Sequence, residues 1–106
     1  MKRKYRILAA CALGGSISFF TQRLIEAARK RGIELEIDIM TIDQVHHADL
    51  SSYDLILVAP QVQFHIDAIK ERAKNVPIVP IDRLTYALAD GEGALEKLVL
   101  PVLKKE

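Results

Sequence analysis

Residues 55–58 read Leu-Ile-Leu-Val, four consecutive apolar side chains introduced by Asp54 and stopped by Pro60. A strand points successive side chains to opposite faces, so an unbroken apolar run needs cover on both. That requirement excludes a sheet with one open face and predicts a central strand with helices above and below it. Lys4 to Ala10 (KYRILAA) is a second short apolar run, ending at Cys11 and a Gly/Ser cluster, as a buried strand running into a loop would. Glu34 to Ile39 behaves differently. Leu35, Ile37 and Ile39 alternate with Glu34, Glu36 and Asp38, and a strand with one wet face belongs at a sheet edge. Val76 to Ile81 is apolar, but Pro77 and Pro80 cannot donate ladder hydrogen bonds, which assigns this strand to the other edge.

Helical signals fall between these strands. Ile17, Phe20, Leu24 and Ala28 are spaced for one helix face, Arg29, Lys30 and Arg31 occupy its last turn, and Gly32 stands at the C′ position. Thr41 and Gln44 have the spacing of a capping box, opening a short helix through Ile42, Val45 and His46. Val62, Ile66, Ile69 and Ala73 form the buried stripe of the next helix. Gly93 to Lys105, carrying Leu95, Leu98, Val99, Val102 and Leu103, reads as a closing helix that Pro101 should kink or cut short. Four strands alternating with four helices predict an α/β fold, a single domain over residues 1–106 with a four-stranded parallel sheet and helices on both faces. With the second and fourth strands at the edges, the simplest order is 2-1-3-4. The chain then reverses direction between the first and third strands, and ligands bind outside the carboxyl ends of strands at such a point. Cys11 ends the first strand there.

Charge narrows the function classes. Fifteen basic and fourteen acidic residues leave +1, which lacks the electrostatic footprint of a nucleic-acid binder. No apolar run reaches the length of a membrane span, and the basic start Met1-Lys2-Arg3-Lys4-Tyr5-Arg6 makes a poor secretory signal. One cysteine forms no intramolecular disulfide, so a reducing cytoplasmic setting is expected.

The stretch Cys11-Ala12-Leu13-Gly14-Gly15-Ser16-Ile17-Ser18 carries the chemistry. Gly14 and Gly15 permit positive φ and close backbone approach, so successive amides can turn inward as an anion nest. The helix starting near Ile17 adds the positive end of its dipole, and Ser16 and Ser18 offer hydroxyl donors. Such surroundings suit a tetrahedral dianion and favour a thiolate at Cys11, poised to attack phosphorus. The plainer alternative is an inert buried cysteine beside a tight turn, giving a non-enzymatic anion-binding or interaction domain. Small tyrosine phosphatases and related arsenate reductases have a cysteine, five residues, then an arginine and a Ser/Thr. Ser18 matches, but the arginine position is Ile17. Without a guanidinium, hydrolysis would be poorly supported, so a low-activity cysteine phosphatase ranks behind a phosphoryl carrier.

These residues resemble the lactose/cellobiose-type enzyme IIB of the bacterial phosphoenolpyruvate-dependent sugar phosphotransferase system. That family's loop runs Cys-x-x-Gly-x-Ser-x-Ser after its first strand, matched by Cys11, Gly14, Ser16 and Ser18, with departures at Gly15 and Ile17. Ala59-Pro60-Gln61 stands where the family commonly has Gly-Pro-Gln. Asp82 to Gly91 (DRLTYALADG) resembles its Asp-x-x-x-Tyr-Gly-x-x-Asp-Gly segment, with Ala87 in place of glycine. The resemblance implies a relay: a phosphohistidine on enzyme IIA passes its phosphoryl group to Cys11, and phosphocysteine passes it to a sugar, of the cellobiose or lactose type, held by the membrane enzyme IIC. It implies no metal or organic cofactor.

Other residues are weighed individually. His46 and His47 are adjacent and cannot form the i, i+4 pair of a metal site; with His65 they read as surface or helix-end residues. Core packing is expected for Phe19 and Phe20. Pro60, Gln61 and Tyr86 fall in loops at the Cys11 end of the sheet, where they would line the site, meet partners or simply form turns. Asp82 is a candidate general acid or, more simply, a turn or cap residue. Arg83 is a candidate for steering a phosphorylated partner. The prolines and charges of the two edge strands favour a monomer.

Overall fold

The computed structural model describes residues 4–12 and 15–104. Four parallel strands, β1 (Lys4–Cys11), β2 (Glu34–Thr41), β3 (Leu55–Val58) and β4 (Ile78–Pro80), lie in the order β2-β1-β3-β4. The predicted order is therefore the observed one. β1 runs beside β2 from Lys4 opposite Glu34 to Cys11 opposite Thr41, and beside β3 from Ile7 opposite Leu55 to Ala10 opposite Val58. All four residues of β3 are buried, as their unbroken apolar run demands. β4 spans three residues where six apolar ones suggested a longer strand, because Pro77 and Pro80 bracket the ladder and supply no N–H.

The chain steps outward from β1 to β2 and then back across to β3. Right-handed crossovers in opposite directions place the connecting helices on opposite faces of the sheet. The first, α1 (Gly15–Arg29), buries the predicted stripe of Ile17, Phe20, Leu24 and Ala28. Its end is a Schellman turn: Ile33 N–H donates to Ala28 O at 3.0 Å, Gly32 N–H donates to Arg29 O at 3.0 Å, and Gly32 takes φ +76°. The second, α2 (Ile42–His47), opens with the predicted capping box, Thr41 and Gln44 each bonding the other's backbone N–H. Its far end is held by Arg72, whose guanidinium donates to the Val45 and Ala48 carbonyls.

Three segments depart from the four-helix expectation. After β3 the chain first makes a 3₁₀ turn, Pro60–His65, kinked at Val62, and only then α3 (Ile66–Arg72). A further short helix, α4 (Arg83–Ala87), follows β4 under the cap of Asp82. The closing helix starts at Gly91 and has three consecutive parts: α5 (Gly91–Ala94), a π turn (Leu95–Val99) and α6 (Leu100–Leu103). Pro101 explains the middle part. A proline removes its own N–H and crowds the carbonyl four residues back, and the widened turn, with Leu100 N–H donating to Leu95 O, accommodates both.

At the amino end of the sheet, the charges predicted for the wet side of β2 form a ladder with β1. Lys4 reaches Glu34 and Glu36 at 3.8 and 3.5 Å, and Arg6 reaches Glu36 and Asp38 at 3.5 and 3.2 Å. Tyr53 donates its hydroxyl to Asp38 at 2.5 Å beneath the Arg6 guanidinium. Burial, and then the Asp38 contact, pushes the Tyr53 phenol up to about 12. Its stabilising contribution is therefore complete below the ordinary tyrosine pKa near 10 and is lost as pH rises through about 12. A phenolate absorbance titration should show this late transition, and Tyr53→Phe should remove it.

Candidate functional site

β1 ends at Cys11 with β2 on one side and β3 on the other, so the thiol stands at the switch point of the sheet. Ala59 N–H donates to Ala10 O at 2.9 Å, which ties the start of the Pro60–His65 turn to the residue before Cys11. The thiol itself is turned inward. It is 2% exposed and donates to the Met40 carbonyl at 3.5 Å, in contrast to the open position that a relay would need. Around it, Ala12, Gly15 and Ser18 are exposed. Leu13, Gly14 and the side chain of Ser16 lie outside the described residues.

Two expectations for this loop need correction. α1 begins at Gly15, two residues before the predicted start, so Gly15 is already helical, and a Cβ built on it meets nothing within 4 Å. Positive φ is not what this glycine supplies. Ile17 accordingly falls in the first helical turn on the core-facing stripe, 1% exposed, and its side chain cannot line an anion site; only its backbone N–H is available for that. The first turn of this fifteen-residue helix holds no acidic side chain, so the positive end of its dipole is not neutralised from within the turn.

The structure brings four more of the candidate residues together. Pro60 and Gln61 from the 3₁₀ turn and Arg83, Tyr86 and Ala87 from α4 line an open pocket of about 320 Å³. Gln61 and Tyr86 thus sit in helical turns and not in irregular loops. The pocket is fixed from several sides. Gln63 Nε2 donates to Ile81 O at 2.8 Å, joining its two walls, and the Tyr86 ring packs 5.6 Å from Phe20 of α1. Asp82 sets the start of α4. Its carboxylate accepts from Thr85 N at 3.0 Å and from Thr85 Oγ1 at 2.8 Å, and these bonds hold its pKa below the usual carboxylate range. A carboxyl so held is ionised at neutral pH and is a poor general acid; its role is the cap. Asp82→Ala should cost about 1 kcal/mol of stability. That contribution is present above the ordinary carboxylate pKa and fades as pH falls through the lowered value. Thermal melts of both proteins at neutral and acidic pH check this, since the difference should shrink in acid.

Several surface residues were not anticipated. Phe19 is 56% exposed, contrary to the expected core packing, because only Phe20 falls on the buried stripe; Arg23 lies over its ring at 5.1 Å. Phe64 is 80% exposed, and Leu84 and Leu88 are also exposed. Phe19, Phe64 and Leu84 lie on segments that follow the carboxyl ends of β1, β3 and β4, and Leu88 comes after α4, beside Arg23 and Ala27 of α1. The sequence signal for Leu84 and Leu88 is their i, i+4 spacing, which gives them one side of a helical turn. His46 and His65 are half-buried and meet edge to face at 5.8 Å, and His47 is exposed at the end of α2.

Fold and site together define a small parallel α/β protein with a thiol at the carboxyl end of a central strand and a helix beginning four residues later at Gly15. Residues 6–97 match the family described as the PTS system, Lactose/Cellobiose specific IIB subunit. The oligo-beta-mannoside-specific EIIB component of the PTS system from Bacillus subtilis is 32% identical over 94 residues, covering 87% of this chain and 90% of that one. Two solved structures share the fold. The cellobiose-specific phosphotransferase IIB component of Borrelia burgdorferi superimposes with a TM-score of 0.73 at 26% identity, over 96% of this chain and 94% of its own. The lactose-specific IIB component domain of Streptococcus pneumoniae gives 0.72 at 21% identity, over 88% and 92%. The chain belongs to the lactose/cellobiose-specific IIB family of the sugar phosphotransferase system.

Proposed function

We propose that the 106 residues act as one phosphocarrier domain in which Cys11 accepts a phosphoryl group from enzyme IIA and passes it to a sugar bound by the membrane enzyme IIC. The observation that carries this reading is the position of the one thiol, at the switch point and four residues before α1 begins. In the first transfer the N–P bond of a phosphohistidine breaks and an S–P bond forms, while the electron pair returns to the imidazole nitrogen. In the second, the S–P bond breaks as a sugar hydroxyl oxygen takes the phosphoryl group and gives up its proton.

Backbone amides at residues 12–18 and the open dipole end of α1 would hold the dianion. The Ser18 hydroxyl is a further donor candidate. Uptake requires the thiol to leave Met40 O and turn outward. Phe19, Phe64 and Leu84, on segments that follow the carboxyl ends of β1, β3 and β4, supply apolar docking surface, and one face serves both partners in turn. The family and the named relatives handle lactose, cellobiose and oligo-β-mannosides, which makes a short β-linked saccharide the expected acceptor. No helix among the described residues is long and apolar enough to cross a membrane, in keeping with a cytoplasmic carrier that meets the membrane through its partner.

Intact-mass spectrometry after incubation with phosphoenolpyruvate, the general phosphotransfer proteins and a cognate enzyme IIA tests the proposal. One added phosphoryl group, discharged by membranes containing enzyme IIC and the sugar, is the expected result. Steady phosphate release without an adduct would replace it with a phosphatase. Neither adduct nor release would make the thiol inert.

A further inference from the structure

Resting on the carrier reading, we propose that Arg83 contacts the incoming phosphoryl group of the donor, supplying from α4 the guanidinium that the cysteine loop lacks. The loop position where the small cysteine phosphatases carry arginine is Ile17, and that side chain is sealed in the core. A positive charge for the transfer has to come from elsewhere in the fold. Arg83 is the charged residue among those lining the pocket of Pro60, Gln61, Tyr86 and Ala87, and none of the five is acidic.

Its availability is unusual among the arginines. Arg6 and Arg31 are paired with carboxylates, Arg72 is bound to the end of α2, and Arg23 covers Phe19. Arg29, also without an ion pair among the described residues, sits in the last turn of α1, at the far end of that helix from Cys11. Arg83 is exposed and makes no ion pair with any described residue. The nearest carboxylate in sequence, Asp82, is occupied by Thr85.

The pocket is also placed by the same contacts that place the thiol. Its Pro60 wall follows Ala59, which is bonded to Ala10, and its Tyr86 wall rests on Phe20, five residues into α1. A donor side chain approaching Cys11 is a flat imidazole bearing a dianionic phosphoryl group. Proline and the tyrosine ring suit the imidazole; a guanidinium and the Gln61 amide suit phosphoryl oxygens. During transfer the N–P bond opens before the S–P bond is complete, the electron pair goes to the imidazole nitrogen, and the phosphoryl charge is spread over the three equatorial oxygens. A guanidinium beside them favours that state, while net bonding still passes the phosphoryl group from nitrogen to sulfur.

Rapid-quench measurement of phosphoryl transfer from phosphorylated enzyme IIA decides the matter, comparing wild type, Arg83→Gln and Arg83→Lys. Arg83→Gln should transfer about ten- to a hundredfold more slowly, the range set by charge-assisted hydrogen bonds to phosphate. Arg83→Lys should recover part of the rate, and added salt should slow wild type more than Arg83→Gln. Melting temperature, alkylation of Cys11 and affinity for unphosphorylated enzyme IIA should stay unchanged in Arg83→Gln. Equal transfer rates would overturn the proposal, as would a loss matched by weaker binding of unphosphorylated enzyme IIA. If wild type itself takes up no phosphoryl group, the carrier reading fails and this assignment falls with it; if only the variants keep pace, Arg83 alone is misassigned.

Discussion

Cys11→Ser is expected to take up no phosphoryl group under conditions that fully label the wild type. Among the described residues the thiol is the only cysteine, and sulfur is a far stronger nucleophile toward phosphorus than a hydroxyl oxygen. A serine hydroxyl in the same place keeps the size and the hydrogen bond to Met40 O but has no base among the identified site residues to activate it. The effect should therefore be loss of the adduct to below detection, with the fold intact. Circular dichroism and the melting temperature serve as controls, since an exchange of sulfur for oxygen in a side chain that donates to the Met40 carbonyl leaves the packing of β1 largely as it was. A serine variant that labels as fast as wild type would place the acceptor elsewhere and overturn the carrier reading at its centre.

The largest effect on stability is expected from Gly91→Ala. Gly91 opens the closing helix where that helix crosses α1, and a Cβ there would lie 2.3 Å from Arg23 O, 2.5 Å from Arg23 C and 2.9 Å from Leu24 N. These are backbone atoms inside a regular helix, so no rotamer change relieves the contact. Either α1 or the closing helix must move, and Leu24, Ala94 and Leu95 in the core move with it. A cost of about 3 kcal/mol follows from overpacking of this kind, or a fall of about 10–20 °C in Tm. Gly15→Ala is the contrasting control, because a Cβ meets nothing there and helix propensity favours alanine. A Gly91→Ala melt within a degree or two of wild type would show that the helices are free to separate.

That pair of glycines shows how far a linear reading reaches. Neighbouring residues mark Gly14-Gly15 as conformationally permissive and Gly32 as a helix end. The second reading holds because a Schellman turn is a local object, its hydrogen bonds closing within six residues. Gly15 proves helical, and the glycine that the fold cannot replace is Gly91, whose reason for being small sits in Arg23 on another helix.

The same division runs through the candidate site. Cys11 at the end of β1 was legible, because the apolar run before it and the strand order follow from periodicity and from two edge signatures: charges in β2 and prolines in β4. The cap roles of Thr41 and Asp82 were legible too, since capping residues act within one turn of themselves. Phe19 departs from the core position expected of it, because two adjacent aromatics lie about 100° apart on a helix and only Phe20 faces the core.

By itself, then, the sequence determined the α/β class, the order of the four strands and the place of the thiol, because burial imposes a period of two or 3.6 that neighbouring residues record. Only the tertiary structure decided that the thiol points inward to Met40, and that Gln61 and Arg83 line one pocket. It also decided that Gly91 is where two helices touch. Those outcomes depend on distances between segments far apart in the chain, and no local pattern encodes them.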